Sequence, residues 1–363
     1  MNSRFSAFTL AAFVLVCAAS VAFAQDAQYP TAYPNEKPMF VAGAHRDIVP
    51  PAGTNLSQWN GSFTDLTHNH RTFIMVGPDP SKSNVTTTIP ITYIPIKFVY
   101  DKNHGNKTFD PNKNKFSGQT VSVSKTILAS PIFQSEVDFV QGGTDVGKTQ
   151  YIDAFQRANF WGKNVKKNTK YHVLLGKATI APEQTFNCNQ SSCIVSNQFG
   201  HTVGLFDFNA MDSVLQGYIT KLKIKPNSLP VFLAYDIYLT SGGCCIGGYH
   251  FVNGGPPTGQ TYSFSTVHDQ VARFSEDTAA LSHEIGEWQD DPFFGSNTVG
   301  CQDNSQLEVG DPLVEDDHAY TVNGFAYHLQ DLVFLGYFGA PTSTSLHKWL
   351  SFQNDKHNVC PGQ

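Results

Sequence analysis

The chain has 363 residues, with 24 basic and 30 acidic side chains and a formal net charge of −6 at pH 7. No basic block occurs in it, which argues against nucleic acid and anionic membranes as partners. Charged residues make up only 15% of the chain, whereas Phe alone occurs 28 times and Gly 29 times. With its abundant Asn, Ser and Thr, this composition is typical of a β-rich extracellular protein.

The first 24 residues predict a cleavable signal peptide. Arg4 is their only charged residue, residues 8–23 are almost entirely apolar, and Ala22-Phe23-Ala24 has the small-x-small pattern of a signal-peptidase site. This apolar stretch is shorter than the roughly 20 residues needed to span a bilayer, and no other stretch is long enough. We therefore expect a secreted or periplasmic protein, cleaved near Ala24, without a membrane span.

Cysteine usage agrees with export. Six cysteines follow the predicted cleavage site, and an even number in an exported chain predicts disulfides. Local spacing favours Cys188–Cys193 and Cys301–Cys360 as pairs. The adjacent Cys244 and Cys245 are then either bonded to each other or shared among the rest. Zinc-binding cysteines are disfavoured because no Cys-x-x-Cys pair occurs.

The organisation predicted along the chain is an α+β fold. Residues 25–60 contain Pro and Tyr without hydrophobic periodicity, which predicts an extended N-terminal arm. Residues 61–195 are rich in β-branched and aromatic stretches separated by turn clusters, which predicts a β-rich region. The remaining residues, 196–363, are more regular, with predicted helices at 210–222, 276–289 and 325–335 and predicted strands at 231–239 and 261–267.

The predicted helix 276–289 has a mostly apolar or small surface. Ser275 is a suitable N-cap, and apolar side chains recur at i, i+4 and i+7 to form a packing stripe. That stripe consists of Leu281, Ile285 and Trp288. Gly286 in mid-helix costs about 1 kcal/mol relative to Ala, which predicts that another backbone packs closely there. Little of this helix is left to face water.

The same helix carries a second stripe of ionisable residues. His283 and Glu287 are four positions apart, so both side chains can reach one cation. Glu284 is turned about 100° around the helix, which leaves it free to hold a water molecule. A buried imidazole beside two carboxylates needs a partner, and a divalent cation is the simplest one. This is the logic of the His-Glu-x-x-His helix of zinc peptidases, with a carboxylate in place of the second imidazole.

Several short motifs of the sequence resemble a family. Ser-His-Glu-Ile-Gly-Glu at residues 282–287, followed by Asp-Pro at 291–292 and Glu-Val-Gly-Asp at 308–311, resembles secreted zincin-like metallopeptidase-type proteins with a variant His-Glu-x-x-Glu motif. The resemblance extends to residues 149–161 and 243–250, and so covers roughly the last two-thirds of the chain. It implies a zincin-like α/β part in residues 196–363, with an active-site helix beneath an edge strand supplied by residues 261–267.

The resemblance also implies a site. One Zn²⁺ would be held by His283, Glu287 and Glu308, with Asp311 as the reserve ligand, and Glu284 would be the catalytic base. His250 is a further candidate, either as a metal ligand or as a substrate contact, and a structural role for it is equally compatible with the sequence.

Together these features predict a secreted zinc metalloendopeptidase that cleaves protein or peptide substrates with a metal-activated water. The alternative is a non-catalytic extracellular or cell-surface binding protein on a degenerate zincin scaffold. The amide- and aromatic-rich first half suits contact with carbohydrate or cell wall, and residues 244–250 resemble plant Exordium-type extracellular proteins. The sequence leaves the oligomeric state open.

Overall fold

The computed structural model describes residues 29–33, 39–166, 170–269, 275–299 and 306–359. The predicted signal peptide, Cys301 and Cys360 lie outside these residues, so the expected Cys301–Cys360 pair stays a prediction. Within the described ranges there are four α-helices. They are α1 Val123–Leu128, α2 Tyr151–Asn159, α3 Phe208–Leu222 and α4 Ala279–Asp290.

Nineteen strands occur in the same described ranges. The first twelve are β1 Met39–His45, β2 Gln58–Thr64, β3 His70–Val76, β4 Thr86–Ile89, β5 Ile91–Tyr100, β6 Thr108–Phe109, β7 Val137–Gln141, β8 Thr144–Thr149, β9 His172–Leu175, β10 Thr179–Ile180, β11 Gln184–Cys188 and β12 Ile194–Gln198. The others are β13 His201–Asp207, β14 Leu229–Tyr235, β15 Ile237–Thr240, β16 Cys244–Asn253, β17 Gln260–Val267, β18 Asp317–Val322 and β19 Phe325–Gln330.

Eleven of these described strands form one mixed sheet. They run in the order β10–β5–β14–β17–β16–β15–β13–β12, with β1 paired to β16 and with β6 and β11 paired to β5. The central strands β5, β14 and β17 are parallel, whereas β16 is antiparallel to both β17 and β15. Strands from both sides of position 195 belong to this sheet, and β12 crosses that position. The β-rich region and the C-terminal region are therefore built around one common sheet.

Alternate residues of the central strands face two hydrophobic cores. In β14, Val231 and Leu233 pack into the core that contains α4, whereas Phe232 and Ala234 pack into the core that contains α3. Strands β14 and β17 are buried along their whole length, as expected for strands covered on both faces. The sheet thus lies between helices, and the predicted mixture of helices and strands is confirmed.

Part of the predicted N-terminal arm is a strand of this sheet. Strand β1 lies parallel to β16, in a register that runs from Met39 beside Ile246 to His45 beside Asn253. The zincin resemblance implied that residues 261–267 form an edge strand. They do form β17, but this strand pairs with β14 on one side and with β16 on the other, so the edge position was wrong.

Two predicted elements differ from the structure. Residues 325–335 were expected to be helical, but residues 325–330 form β19, in which Tyr327 and Leu329 are buried and Ala326 is exposed. A period of two therefore describes this segment better than a helical period. The predicted strand 231–239 is divided into β14 and β15 by Asp236, whose positive φ of 55° turns the chain.

Cysteine pairing follows the local spacing. Cys188 and Cys193 form one disulfide, and the adjacent Cys244 and Cys245 are bonded to each other, which resolves the alternative left open by the sequence. Among the described residues, none of the helices has both the length and the apolar character needed to cross a membrane.

Candidate metal centre

Helix α4 is buried on all sides. Each of its twelve residues is inaccessible to solvent, as the apolar surface of the sequence predicted. The helix begins at Ala279 rather than near residue 276, and Thr278 occupies the N-cap position without a capping side-chain bond. The expected cap, Ser275, is instead hydrogen-bonded to the hydroxyl of Tyr238 at 2.8 Å.

Helix α4 packs on strands β16 and β17. Trp288 donates its indole N–H to Thr261 Oγ1 on β17 at 2.9 Å, which fixes the rotation of the helix on the sheet. Gly286 is packed closely, but against a side chain rather than the predicted backbone, because a Cβ there would lie 2.5 Å from Leu332 Cδ1. The fixed rotation aims His283, Glu284 and Glu287 into the interior of the protein.

A first group of potential metal donors surrounds the Nε2 atom of His283. This atom lies 3.1 Å from Glu287 Oε1 and 3.7 Å from Asp311 Oδ1. One donor atom from each of the three residues lies within 4.8 Å of the other two. Tetrahedral ligands at zinc lie roughly 3.4 Å from one another, given bond lengths of about 2.1 Å. The separations of 3.1 and 3.7 Å are close to this value, so the three side chains fit a zinc ion.

A second group shares Glu287 with the first. His250 on β16 places its Nδ1 atom 3.3 Å from Glu284 Oε2 and 3.6 Å from Glu287 Oε2. These three donor atoms also lie within 4.8 Å of one another, and all three side chains are buried. The predicted helix residues and His250 are thus brought together at one place.

Glu308, the third ligand implied by the resemblance, lies next to Glu287 and hydrogen-bonds with it. It is only 4% exposed, but it belongs to neither group of three, whereas the reserve ligand Asp311 does. The backbone N–H groups of Gly310 and Asp311 donate to Glu287 Oε1 at 3.1 and 3.3 Å. The segment that follows Glu308 therefore holds Glu287 in position as well as supplying Asp311.

Two glycines leave room for these side chains. A Cβ at Gly248 on β16 would lie 2.6 Å from Glu284 Oε1, and a Cβ at Gly310 would overlap the ring of His283. The φ of Gly310 is −88°, which suits any residue, so its requirement is space rather than conformation. Both glycines stand in segments that carried the family resemblance.

Gln330 and Phe40 are site residues that the sequence did not indicate. Gln330 Oε1 lies 3.0 Å from His283 Nδ1, and Gln330 Nε2 donates to the carbonyl of Gly310 at 2.6 Å. A hydrogen bond at Nδ1 directs the Nε2 lone pair of His283 toward the carboxylates, as in metal-ligating histidines. Phe40 on β1 stacks on the His283 ring, with a centroid distance of 3.7 Å.

Burial and the charges of neighbouring side chains give these groups different pKa values. Burial and the charge of Glu287 raise the pKa of Glu284 and of Glu308 well above the usual range. Burial would also raise the pKa of Glu287, but the charge of His283 in close contact outweighs it, and the pKa falls to about 2. Burial lowers the pKa of His250 to about 4. Glu287 is therefore the carboxylate that stays ionised.

Several buried atoms of this centre lack hydrogen-bond partners among the described residues. They include Glu284 Oε1, Glu308 Oε2 and His283 Nε2, the last of which lies near Glu287 without forming a hydrogen bond of acceptable geometry. Such atoms are rare in protein interiors because each carries a desolvation penalty. A bound cation would satisfy donors of this kind, so the residues fit the metal that the sequence predicted.

A separate pair, His328 and Asp277, offers a test of the electrostatics outside the centre. His328 Nδ1 lies 2.6 Å from Asp277 Oδ2, and this hydrogen bond raises the pKa of His328 to about 9. Because the folded pKa lies above the unfolded value of 6.5, the stabilisation is complete below about pH 6.5 and is lost as the pH rises through about 9.

We expect the melting temperature of the wild type to fall more steeply than that of His328→Gln between pH 6.5 and pH 9. Thermal denaturation of both proteins across this range measures the difference, and Asp277→Asn should behave like His328→Gln. Parallel pH profiles for wild type and variants would contradict the assignment.

No known protein family matches the chain, and neither the curated proteins nor the solved structures contain one that matches it.

Proposed function

We propose that the protein is an exported zinc-dependent endopeptidase whose metal is held by His283, Glu287 and Asp311. The observation that carries this proposal is the convergence of three donor atoms within 4.8 Å of one another, at distances that suit zinc. Two of the three stand four positions apart on a fully buried helix, as in the variant His-Glu-x-x-Glu motif. Glu308, which the resemblance implied as a ligand, instead hydrogen-bonds with Glu287.

His283, Glu287 and Asp311 would hold the zinc ion, which would supply Lewis-acid activation of the scissile carbonyl and of the attacking water. Glu284 accepts the proton of that water and passes it to the leaving amine, as a general base and then a general acid. Glu287 remains ionised, and Gln330 holds the His283 ring so that Nε2 faces the carboxylates.

Metal analysis of the purified mature protein tests this proposal. We expect at least one equivalent of zinc per chain in the wild type, and hydrolysis of casein that a chelator abolishes and zinc restores. His283→Ala should lose this zinc and the activity. His172→Ala is the matched control, because His172 also pairs with a buried carboxylate, Asp153, at 2.7 Å, but lies outside the centre. A wild type without zinc would refute the proposal.

We propose that Phe40, which stacks on the His283 ring, limits access to the centre. His283 and Glu284 are fully buried, whereas the Asp311 side chain is 32% exposed. Removing the aromatic ring that stacks on His283 gives up about 0.5–1.5 kcal/mol of contact energy. Because 1.36 kcal/mol is a factor of ten in rate, a chelator should strip zinc from Phe40→Ala about 2- to 10-fold faster.

Stopped-flow chelation with a chromogenic chelator measures this rate. The control is Phe63→Ala, because Phe63 is also half-buried among aromatic side chains but contacts Phe73 instead of the centre. Equal rates for wild type and Phe40→Ala would show that Phe40 does not limit access.

A specific observation also favours the alternative function, a carbohydrate-binding protein. A cavity of about 540 Å³ between the first half of the chain and residues 335–344 is lined by aromatic and polar side chains, among them Trp59, Phe63, Asn60, Asp79 and Lys82. Aromatic faces and hydrogen-bonding groups are the usual combination in pockets that orient a polar ligand. Under this alternative, Trp59→Ala would abolish binding on a glycan array, whereas Glu284→Gln would leave it unchanged.

A further inference from the structure

We infer that the centre holds two divalent cations, the second bound by His250, Glu284 and Glu287, with Glu287 bridging the pair. This inference rests on the proposed function for the first ion, at His283, Glu287 and Asp311. It adds a second ion that the His-Glu-x-x-Glu pattern does not contain.

The two oxygens of Glu287 face different partners. Oε1 lies 3.1 Å from His283 Nε2, whereas Oε2 lies 3.6 Å from His250 Nδ1. Glu287 belongs to both groups of three residues whose donor atoms lie within 4.8 Å of one another. A carboxylate that presents one oxygen to each of two donor groups is arranged as a bridging ligand.

A second divalent cation would compensate a buried carboxylate that the first ion does not bind. Four carboxyl groups meet here, from Glu284, Glu287, Glu308 and Asp311, and the first three are at most 4% exposed. Among the described residues, no Lys or Arg forms an ion pair with any of these three buried carboxyl groups. The first ion would be bound by the carboxylates of Glu287 and Asp311, so the ionised form of the buried Glu284 would be compensated by the second ion. Uncompensated buried charge is strongly unfavourable.

Each ion would receive a comparable set of ligands. Both groups of three consist of one imidazole and two carboxylates, which suits Zn²⁺, Mn²⁺ or Fe²⁺ rather than Ca²⁺. Glu284 offers Oε2 to the second ion, at 3.3 Å from His250 Nδ1, while its Oε1 has no hydrogen-bond partner among the described residues. Glu284 Oε1 therefore stays available as the base.

Zinc titration of the metal-free full-length chain tests the inference. Calorimetry should show two equivalents bound by the wild type and one by His250→Ala. His268→Ala is the matched control, because His268 is as buried as His250 at 1% exposure but pairs with Asp236, and it should bind two equivalents. One equivalent in the wild type would overturn the second ion and leave the proposed function intact. No bound zinc at all would overturn both.

A spectroscopic measurement keeps the test independent of whether the variants fold. Wild-type protein loaded with two equivalents of Mn²⁺ should give the multiline electron paramagnetic resonance spectrum of a spin-coupled pair, since a bridging carboxylate couples the two ions. A simple six-line spectrum of isolated Mn²⁺ at full loading would overturn the inference.

Discussion

Replacing Glu284 by Gln is expected to lower peptide hydrolysis by about 10²–10⁴-fold while the ion at His283 and Glu287 stays bound. The melting temperature of the metal-free protein should change little. Burial already raises the pKa of Glu284 well above the usual range, so the neutral amide resembles the carboxyl group that it replaces. Hydrolysis of a fluorogenic peptide, zinc content and thermal denaturation give the three readouts.

Glu287→Gln is the matched comparison, because Glu287 lies about one turn further along the same helix. It removes the ionised partner of His283, and breaking a buried ion pair costs about 3–5 kcal/mol of folding free energy. It should therefore lose stoichiometric zinc and stability together, since metal binding requires the deprotonated ligand. If Glu284→Gln loses all its zinc and Glu287→Gln retains it, the two roles are reversed. If both retain the full zinc content, α4 is not the metal site.

Gly310→Ala is expected to weaken zinc binding strongly, although Gly310 itself has no side chain. The new Cβ would overlap the His283 ring, and forcing extra volume into a packed interior costs about 1–3 kcal/mol. Displacing a ligand in this way should weaken zinc binding by about 10–100-fold, the range seen when groups that orient a ligand are changed. Competition with a chelator of known affinity measures this loss.

Gly217→Ala is the control for the same chemical change. Gly217 lies in α3, where a Cβ would meet nothing within 4 Å. Alanine is favoured over glycine in a helix by about 1 kcal/mol, so this variant should be more stable than the wild type and bind zinc normally. Normal zinc affinity in Gly310→Ala would show that the His283 ring can move aside.

Local sequence patterns predicted the features that depend only on residues close together in the chain. Helical spacing indicated that His283 and Glu287 can act together, and the structure brings their facing atoms to 3.1 Å. The position of α4 in the fold also follows its apolar stripe. Strand β19 was missed because residues 325–335 are apolar enough for either period, and the alternation of Tyr327 and Leu329 is decided by pairing with β18.

The remaining site residues depend on distant parts of the chain. Gln330 meets His283 only because β19 crosses the end of α4, and Phe40 meets it only because β1 pairs with β16. Neither residue type carries a metal signal on its own. Asp311 and Glu308 are three positions apart, and the turn at residues 310–313 decides which of them joins His283.

Because β1 pairs with β16, the parts of the centre are expected to come together in a defined order during folding. Phe40 stands near the beginning of the chain, whereas β16, Glu284 and Asp311 follow two hundred or more residues later. Contacts between such distant segments form late in folding, because the chain must first close a long loop. Phe40 therefore covers the His283 ring only after the sheet has assembled. Losing the pairing of β1 with β16 would remove Phe40 from the His283 ring without changing any of the predicted ligands.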